Sequence, residues 1–133
     1  MSAAATIVGN LTRDPDLKFT NSGLAMATFG VAVNRRKRDE AGNWVDDDAS
    51  FFDVVAWRDI AEHVAESLQK GDRVVVTGTL RQRTWEADDG TKRSKVELTA
   101  EDIGASLRFA TAVMTRAERR GTRGGVSPEE EPF

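Results

Sequence analysis

The stretch 74–85 constrains the fold more than any other part of the sequence, because two kinds of side chain alternate along it. Successive side chains of an extended chain point to opposite sides, so Val74, Val76 and Leu80 share one side and are predicted to lie in a core. The other side carries Val75, Thr77, Thr79, Arg81, Arg83 and Trp85. A buried surface does not accommodate unpaired guanidinium groups, so this second side faces water or a ligand. The stretch therefore predicts a long strand in a sheet with one buried and one open face.

Four further runs of β-forming residues are separated by turn signals rich in Gly, Asn, Asp and Pro. Together with 74–85, the predicted strands are 6–11, 24–35, 51–57 and 92–102. A turn is predicted at Asp14-Pro15-Asp16 and a long hairpin loop over 36–48. The segment 103–115 is compatible with either an added strand or a short helix, and 121–133 has the composition of a disordered tail.

A helix is predicted between the third and fourth strands. Its apolar stripe recurs at i, i+4 and i+8, at Ile60, Val64 and Leu68. Asp59 precedes Glu62 by the spacing of a capping box, and Gly71 is predicted to end the helix. Five strands with one helix between the third and fourth is the order of an oligonucleotide/oligosaccharide-binding (OB) barrel. We therefore predict an all-β fold with one helix, a five-stranded OB barrel.

The composition excludes several kinds of active site. The chain has no Cys, no Tyr and a single His, His63, which removes disulfides, thiol nucleophiles and most zinc sites. It lacks the Gly-rich phosphate loop of ATPases. The run Asp46-Asp47-Asp48 lies on a predicted loop, where consecutive carboxylates point in different directions instead of converging on a magnesium ion. We predict a protein that is not an enzyme and that has no metal and no cofactor.

No stretch of the sequence has the length and apolar character of a membrane span or a signal peptide. The longest uncharged stretch, 20–34, is interrupted by Thr, Asn, Ser and Gly. A soluble, cytoplasmic protein without a membrane partner is therefore predicted.

The net charge of −3 argues at first against a nucleic-acid partner, but the distribution of charge reverses that argument. Three of the 22 acids lie in the last five residues, and the remaining 19 equal the 19 bases of the chain. The bases are clustered at Arg35, Arg36, Lys37 and Arg38, at Arg81 and Arg83, and at Lys92, Arg93 and Lys95. Local patches of this kind, more than net charge, set the attraction to phosphate groups.

Aromatic side chains share the open faces with these bases. Trp85 follows Arg81 and Arg83 on one side of the fourth strand, and Phe51 and Trp57 share one side of the third. Single-stranded nucleic acid needs this combination, because its bases stack on aromatic rings and its phosphates need cations along the same track. Two alternatives stay open at this point: the two tryptophans are ordinary core residues, and Trp44 in the first hairpin either stacks on a base or only closes the hairpin.

Four motifs then occur in one order and spacing: Ile7-Val8-Gly9-Asn10-Leu11, the run 51–57, Lys70-Gly71-Asp72-Arg73-Val74, and Gly78-Thr79-Leu80-Arg81. Over residues 3–115 the chain resembles the bacterial single-stranded DNA-binding protein family, and 103–112 is similar to a segment of its actinobacterial and actinophage members. The resemblance implies an OB barrel that forms a homotetramer and wraps single-stranded DNA. It places the base-stacking aromatics on Phe51, Trp57 and Trp85. A further family aromatic falls on Lys37, and Asp53 stands where relatives often carry a base.

The resemblance also implies a division of the chain into a DNA-binding domain at 1–115, a short flexible linker at 116–128 and an acidic tip at 129–133. The tip consists of Glu129, Glu130, Glu131, Pro132 and Phe133. In the family such a tip docks replication and repair proteins. A terminal carboxylate, a phenyl ring and nearby acids suit a basic-rimmed pocket on a partner.

The prediction from sequence is a nonspecific single-stranded DNA-binding protein that protects the strand in replication, recombination and repair. The predicted phosphate contacts are Arg35, Arg36, Lys37, Arg38, Arg81, Arg83, Lys92, Arg93 and Lys95. Two rival functions remain at this stage, an RNA-binding barrel and a barrel that serves as a protein-interaction subunit.

Overall fold

The computed structural model describes residues 3–117, which form eight strands and one helix. In chain order these are β1 (Ala3–Leu11), β2 (Asp16–Phe19), β3 (Ala25–Val33), β4 (Arg36–Arg38), β5 (Trp44–Asp46), β6 (Ser50–Trp57), α1 (Arg58–Ser67), β7 (Arg73–Glu86) and β8 (Lys92–Ala105). The predicted tip, and the predicted linker and tail beyond residue 117, lie outside the described residues. In the described part of the chain, no helix is long and apolar enough to cross a bilayer.

Five of the strands close into a barrel. The hydrogen-bonded order is β1–β7–β8–β6–β3, and β3 pairs back with β1 at Asn10 and Leu11, which closes the circle. All of these pairings are antiparallel except that of β6 with β8, which is parallel. The helix lies in sequence between β6 and β7, which are the third and fourth barrel strands in chain order, as predicted. The predicted OB barrel is confirmed.

The alternation along β7 is confirmed by burial. Val74 and Val76 are fully buried and pack with Phe29 and Leu98 in the main core cluster, while Leu80 is partly buried against that cluster. From Arg81 onward every residue of β7 is exposed. The core therefore ends near Leu80, and the rest of the strand projects from the barrel.

Helix α1 covers one end of this core through Ala61 and Val64, which are both buried. Its predicted ends were wrong. The helix begins at Arg58, so Asp59 lies in the first turn and Trp57 occupies the cap position without a side-chain hydrogen bond. A carboxylate in the first turn still complements the positive end of the helix dipole.

The helix also ends earlier than Gly71, at Ser67, because Leu68 adopts an extended conformation. From that conformation the Leu68 side chain packs against the main core cluster. Gly71 has a positive φ of 94°, which glycine accepts without strain, but it serves the turn before β7. Its N–H donates to the carbonyl of Leu11 at 2.9 Å.

Two short strand regions were missed. The predicted turn at residues 14–16 runs directly into β2, which pairs with β3 and packs Leu17 against the small cluster around Ala25 and Ala27. The predicted loop 36–48 contains the antiparallel pair β4–β5. Strand β4 consists only of charged residues, and the alternation of Leu17 and Phe19 with charged residues in β2 spans only four residues, so neither gives a pattern long enough to identify a strand.

The ambiguous segment 103–115 divides after residue 105. Strand β8 continues to Ala105, and residues 106–117 contain no helix or strand. The continuation depends on a bulge between Thr77 and Gly78, after which Ile103 pairs with Val76 and packs against the core. A Cβ at Gly78 would overlap the backbone carbonyl of Thr99, so glycine is required at this crossing of the strands.

Candidate nucleic-acid interface

The register of β7 and β8 builds one continuous outer face. Trp85 lies opposite Arg93, Arg83 opposite Lys95, and Arg81 opposite Glu97. Residues directly opposite each other in an antiparallel pair project to the same side of the sheet. We call the paired residues 81–86 and 92–97, which extend beyond the barrel, the β7–β8 arm. Its outer face brings together one predicted stacking ring, Trp85, and four predicted phosphate-contact side chains, which are all the bases predicted on β7 and β8 except Lys92.

Strand β6 adds two aromatic side chains to the same outer face. Asp53 is level with Glu97 in the parallel pairing of β6 and β8, which places Phe51 at the end of β6 nearest the arm. Phe51 is 73% exposed. Trp57, at the opposite end of β6 beside the helix, is half-buried and lies across from Met26 of β3. The two rings are separated by roughly 20 Å along the strand, at about 3.3 Å per residue.

The tryptophans predicted to stack on bases do not belong to the core. Trp85 is 39% exposed near the end of the arm, and Trp57 is not a member of either core cluster. The alternative interpretation, in which both indoles are ordinary core residues, is therefore wrong for this fold. Both rings have surface available for a flat ligand.

Charged side chains at the base of the arm form a network of ion pairs. Arg83 Nη1 lies 3.4 Å from Glu97 Oε2, and Lys95 Nζ lies 3.2 Å from Asp53 Oδ2 and 3.7 Å from Glu97 Oε2. Two of the predicted phosphate contacts are thus already paired with carboxylates. The role of Glu97 was missed, although the period of two along β8 would have placed it on the same face as Lys95.

The end of the arm carries the remaining bases. Lys92 pairs with Glu86 in the strand register, and Arg93 Nη2 lies 3.8 Å from Asp89 Oδ2 across the turn. Hydrogen bonds from the hydroxyl and the N–H of Thr91 lower the pKa of Asp89. Among residues 3–117, Arg81 and Lys92 belong to no ion pair.

The basic run Arg35 to Arg38 is divided between two faces of the β4–β5 hairpin. Arg38 lies opposite Trp44, and the guanidinium carbons of Arg36 and Arg38 stand 6.0 Å and 4.9 Å from the centre of the Trp44 ring. These are cation–π distances. Trp44 remains 56% exposed. One face of the hairpin therefore combines two cations with an aromatic ring.

Lys37 projects to the other side of the hairpin, where it lies opposite Val45. Its ammonium group is 3.6 Å from Asp47 Oδ1. A hydrogen bond from the N–H of Asp48 and, to a smaller extent, the charge of Lys37 lower the pKa of Asp47. Arg35 joins β3 to the hairpin, and its carbonyl accepts a hydrogen bond from the N–H of Asp47 at 2.7 Å.

Carboxylates do not converge on a metal-ion site anywhere in residues 3–117. Of the acidic run, Asp46 lies on β5 opposite Arg36, and Asp47 is turned toward Lys37. His63 is exposed on α1. The side chains on the outer face of β6, β7 and β8 therefore offer aromatic rings for stacking and cations for charge pairing.

Comparisons with known proteins identify the family of this chain. Residues 3–106 match the model of the single-strand binding protein family. The chain is 51% identical over 117 residues to the single-stranded DNA-binding protein of Mycolicibacterium smegmatis, covering 87% of this chain and 71% of the relative. It is 50% identical over 123 residues to that of Mycobacterium tuberculosis, covering 92% and 75%.

A solved structure is also similar. The crystal structure of a small single-stranded DNA-binding protein from Streptomyces coelicolor superposes with a TM-score of 0.69 at 33% identity, covering 80% of this chain and 96% of that one. The resemblance inferred from the four sequence motifs, including its actinobacterial character, is confirmed by these matches.

Proposed function

The chain belongs to the single-strand binding protein family, and from that premise we propose that it binds single-stranded DNA without sequence preference. The bound strand lies along the outer face of β6, β7 and β8 and reaches the β4–β5 hairpin. The family consists of non-catalytic DNA-binding proteins, so the prediction that the chain is not an enzyme is confirmed.

One observation carries the proposal: exposed aromatic rings and cations share one surface. Trp85 lies in register with Arg93, one step along the arm from Arg83 and Lys95, and Phe51 lies at the end of β6 nearest the arm. Each base that stacks on such a ring contributes about 1–3 kcal/mol, largely independent of its identity. Each phosphate neutralised by Lys or Arg releases counterions, so affinity falls as salt rises.

The proposed roles follow from position. Phe51, Trp57 and Trp85 stack on bases. Phosphates are bound by Arg35, Arg36, Lys37, Arg38, Arg81, Arg83, Lys92, Arg93 and Lys95. The contact between Trp44 and two arginines adds Trp44 to the stacking residues, because its ring is exposed beside cations on one face of the hairpin.

Titration of the intrinsic tryptophan fluorescence with thymidine oligomers of increasing length tests the proposal. We expect strong quenching, a midpoint that weakens steadily with salt, and weaker binding to a duplex of the same length. A matched RNA oligomer serves as a competitor, since recognition of the 2′-hydroxyl would favour RNA. Absence of binding, or a preference for RNA or duplex, would contradict the proposal.

We further propose assembly into a homotetramer. The resemblance supports it, and so does the edge of β1, which pairs with β3 only at Asn10 and Leu11 and leaves one side of residues 3–9 without a strand partner among the described residues. Such an edge is a template for pairing with another chain. Val8 and Val75 are partly exposed beside it. Light scattering of the free protein measures the assembly: a mass of one chain would contradict it.

In a cell, we propose that the protein coats and protects single strands during replication, recombination and repair, in the bacterial cytoplasm or nucleoid. The acidic tip at 129–133 recruits replication and repair proteins in this proposal. Its composition supports such a role, because carboxylates around an apolar ring complement a basic-rimmed pocket. A peptide of these five residues is expected to compete with the whole protein for such a partner, and failure to compete would contradict the assignment.

A further inference from the structure

Four charged side chains on the outer face form a continuous and electrically balanced network. Lys95 bridges Asp53 and Glu97, with Nζ to Oδ2 and Nζ to Oε2 distances of 3.2 Å and 3.7 Å. Arg83 contacts the same Oε2 of Glu97 at 3.4 Å. Two cations are thus matched by two carboxylates, and the network presents no net positive charge to a ligand.

The network occupies the middle of the proposed DNA track. Trp85 lies beyond it toward the end of the arm, and Phe51 lies beside it at the end of β6. Asp53 and Glu97 come from different strands, so the parallel register of β6 and β8 brings the two acids together. The Glu97 side chain is only 15% exposed, whereas that of Arg83 is 62% exposed. Glu97 therefore lies beneath the cations that a phosphate would approach, whereas the Asp53 side chain, 43% exposed, lies level with that of Lys95, 41% exposed.

We propose that Asp53 and Glu97 compete with DNA phosphates for Lys95 and Arg83, and so lower both the affinity for single-stranded DNA and its dependence on salt. This inference rests on the proposed function. A phosphate that binds Lys95 must take the place of a carboxylate, and the displaced carboxylate then repels it. A cation that stays paired with a carboxylate also neutralises less phosphate charge, so fewer of the counterions condensed on the DNA are released.

The substitution Asp53→Asn tests the inference, because it keeps the size of the side chain and removes its charge. We expect binding of a thymidine oligomer to tighten by about 2- to 5-fold at low salt, the scale of an exposed ion pair. The plot of log affinity against log salt is expected to steepen by up to roughly 0.7, the value for one phosphate contact on a single strand. Glu97→Gln is expected to shift both quantities in the same direction.

The matched control is Glu66→Gln. Glu66 is an exposed residue of α1 and lies outside the outer face. The substitution therefore removes one negative charge, as Asp53→Asn does, but at a distance from the network. We expect less change in affinity and slope than for either network variant. A gain as large as that of Asp53→Asn would show that net charge alone sets the affinity, and would overturn the inference.

A second comparison tests the ion pair of Asp53 and Lys95 directly. In a Lys95→Met background, Asp53→Asn is expected to give a smaller gain than in the wild-type protein, because the cation it would release is absent. Unchanged or weakened binding by Asp53→Asn, with normal binding by the wild-type protein, overturns this inference and leaves the proposed function intact. Absence of binding by the wild-type protein in the same titration contradicts the proposed function itself.

Discussion

Two hairpins extend the barrel, and each places a tryptophan directly opposite an arginine, Trp44 opposite Arg38 and Trp85 opposite Arg93. The two hairpins differ in how they are attached to the rest of the fold. The β7–β8 arm continues two barrel strands of 14 residues each, whereas β4 and β5 have 3 residues each and form a separate sheet. A short two-stranded hairpin alone is only marginally stable in water. The same local pairing is therefore held rigidly in one place and weakly in the other.

This difference bears on binding energy. A ring that is already fixed in its bound position loses little conformational entropy when a base stacks on it, whereas a mobile segment must be ordered first. The base of the arm is tied to β6 through Lys95 and Asp53, 3.2 Å apart. The β4–β5 hairpin is closed mainly by its own bonds, such as that from the N–H of Asp39 to the carbonyl of Asn43 at 2.9 Å. We expect the arm to contribute more to affinity.

The largest effect is expected for Trp85→Ala. Loss of one preorganised stacking platform should weaken binding of thymidine oligomers by about 1–3 kcal/mol, with a similar loss for oligomers of other sequence. Titration monitored by the fluorescence of the remaining tryptophans, or by anisotropy of a labelled oligomer, measures it. Trp85→Phe is the control and should retain most of the affinity. Unchanged affinity in Trp85→Ala would show that the strand does not follow the arm.

A smaller effect is expected for Trp44→Ala, under about 1 kcal/mol, because part of the stacking energy is offset by ordering of the hairpin. The same anisotropy titration measures it beside Trp85→Ala. The substitution also removes the cation–π contacts of Arg36 and Arg38, at 6.0 Å and 4.9 Å. A loss of binding free energy equal to or greater than that of Trp85→Ala would reverse the comparison. The short hairpin would then contribute more to DNA affinity than the arm.

The same contrast explains which parts of the fold were predictable. The long alternation of β7 identified its buried residues Val74 and Val76, because a period of two repeated over many residues leaves little ambiguity. Strands of only three or four residues, such as β4 and β2, are too short to give such a signal, and neighbouring strands decide whether they form. The end of α1 was misplaced for a related reason, since Leu68 leaves the helix to pack in the core.

The candidate site also has one part that was predictable from the sequence and one part that was not. The shared face of Arg81, Arg83 and Trp85 follows from one strand, so it was predictable from its sequence. The contact of Lys95 with Asp53 depends on a parallel pairing between β6 and β8. Residues 53 and 95 are distant in the chain, and their register is set by the closure of the whole barrel. Local periodicity contains no information about that register.

The smallest expected effect is a change in the salt dependence of binding, and it distinguishes Arg81, an unpaired cation of the arm, from Lys37, a paired cation of the hairpin. Arg81 belongs to no ion pair among the described residues, whereas Lys37 Nζ lies 3.6 Å from Asp47 Oδ1. Arg81→Ala is expected to reduce the slope of log affinity against log salt by about 0.7, the value for one phosphate contact on a single strand. Lys37→Ala should reduce it by much less, because the Asp47 carboxylate already neutralises that charge.

Both slopes are measured by titrating one thymidine oligomer at several salt concentrations. Equal reductions would mean that Lys37 leaves Asp47 to bind a phosphate, so that the hairpin rearranges on DNA while the arm does not. No reduction in Arg81→Ala would instead place the phosphates away from the barrel end of the arm. In that case the strand would contact the arm through its tip, where Trp85 and Arg93 lie in register.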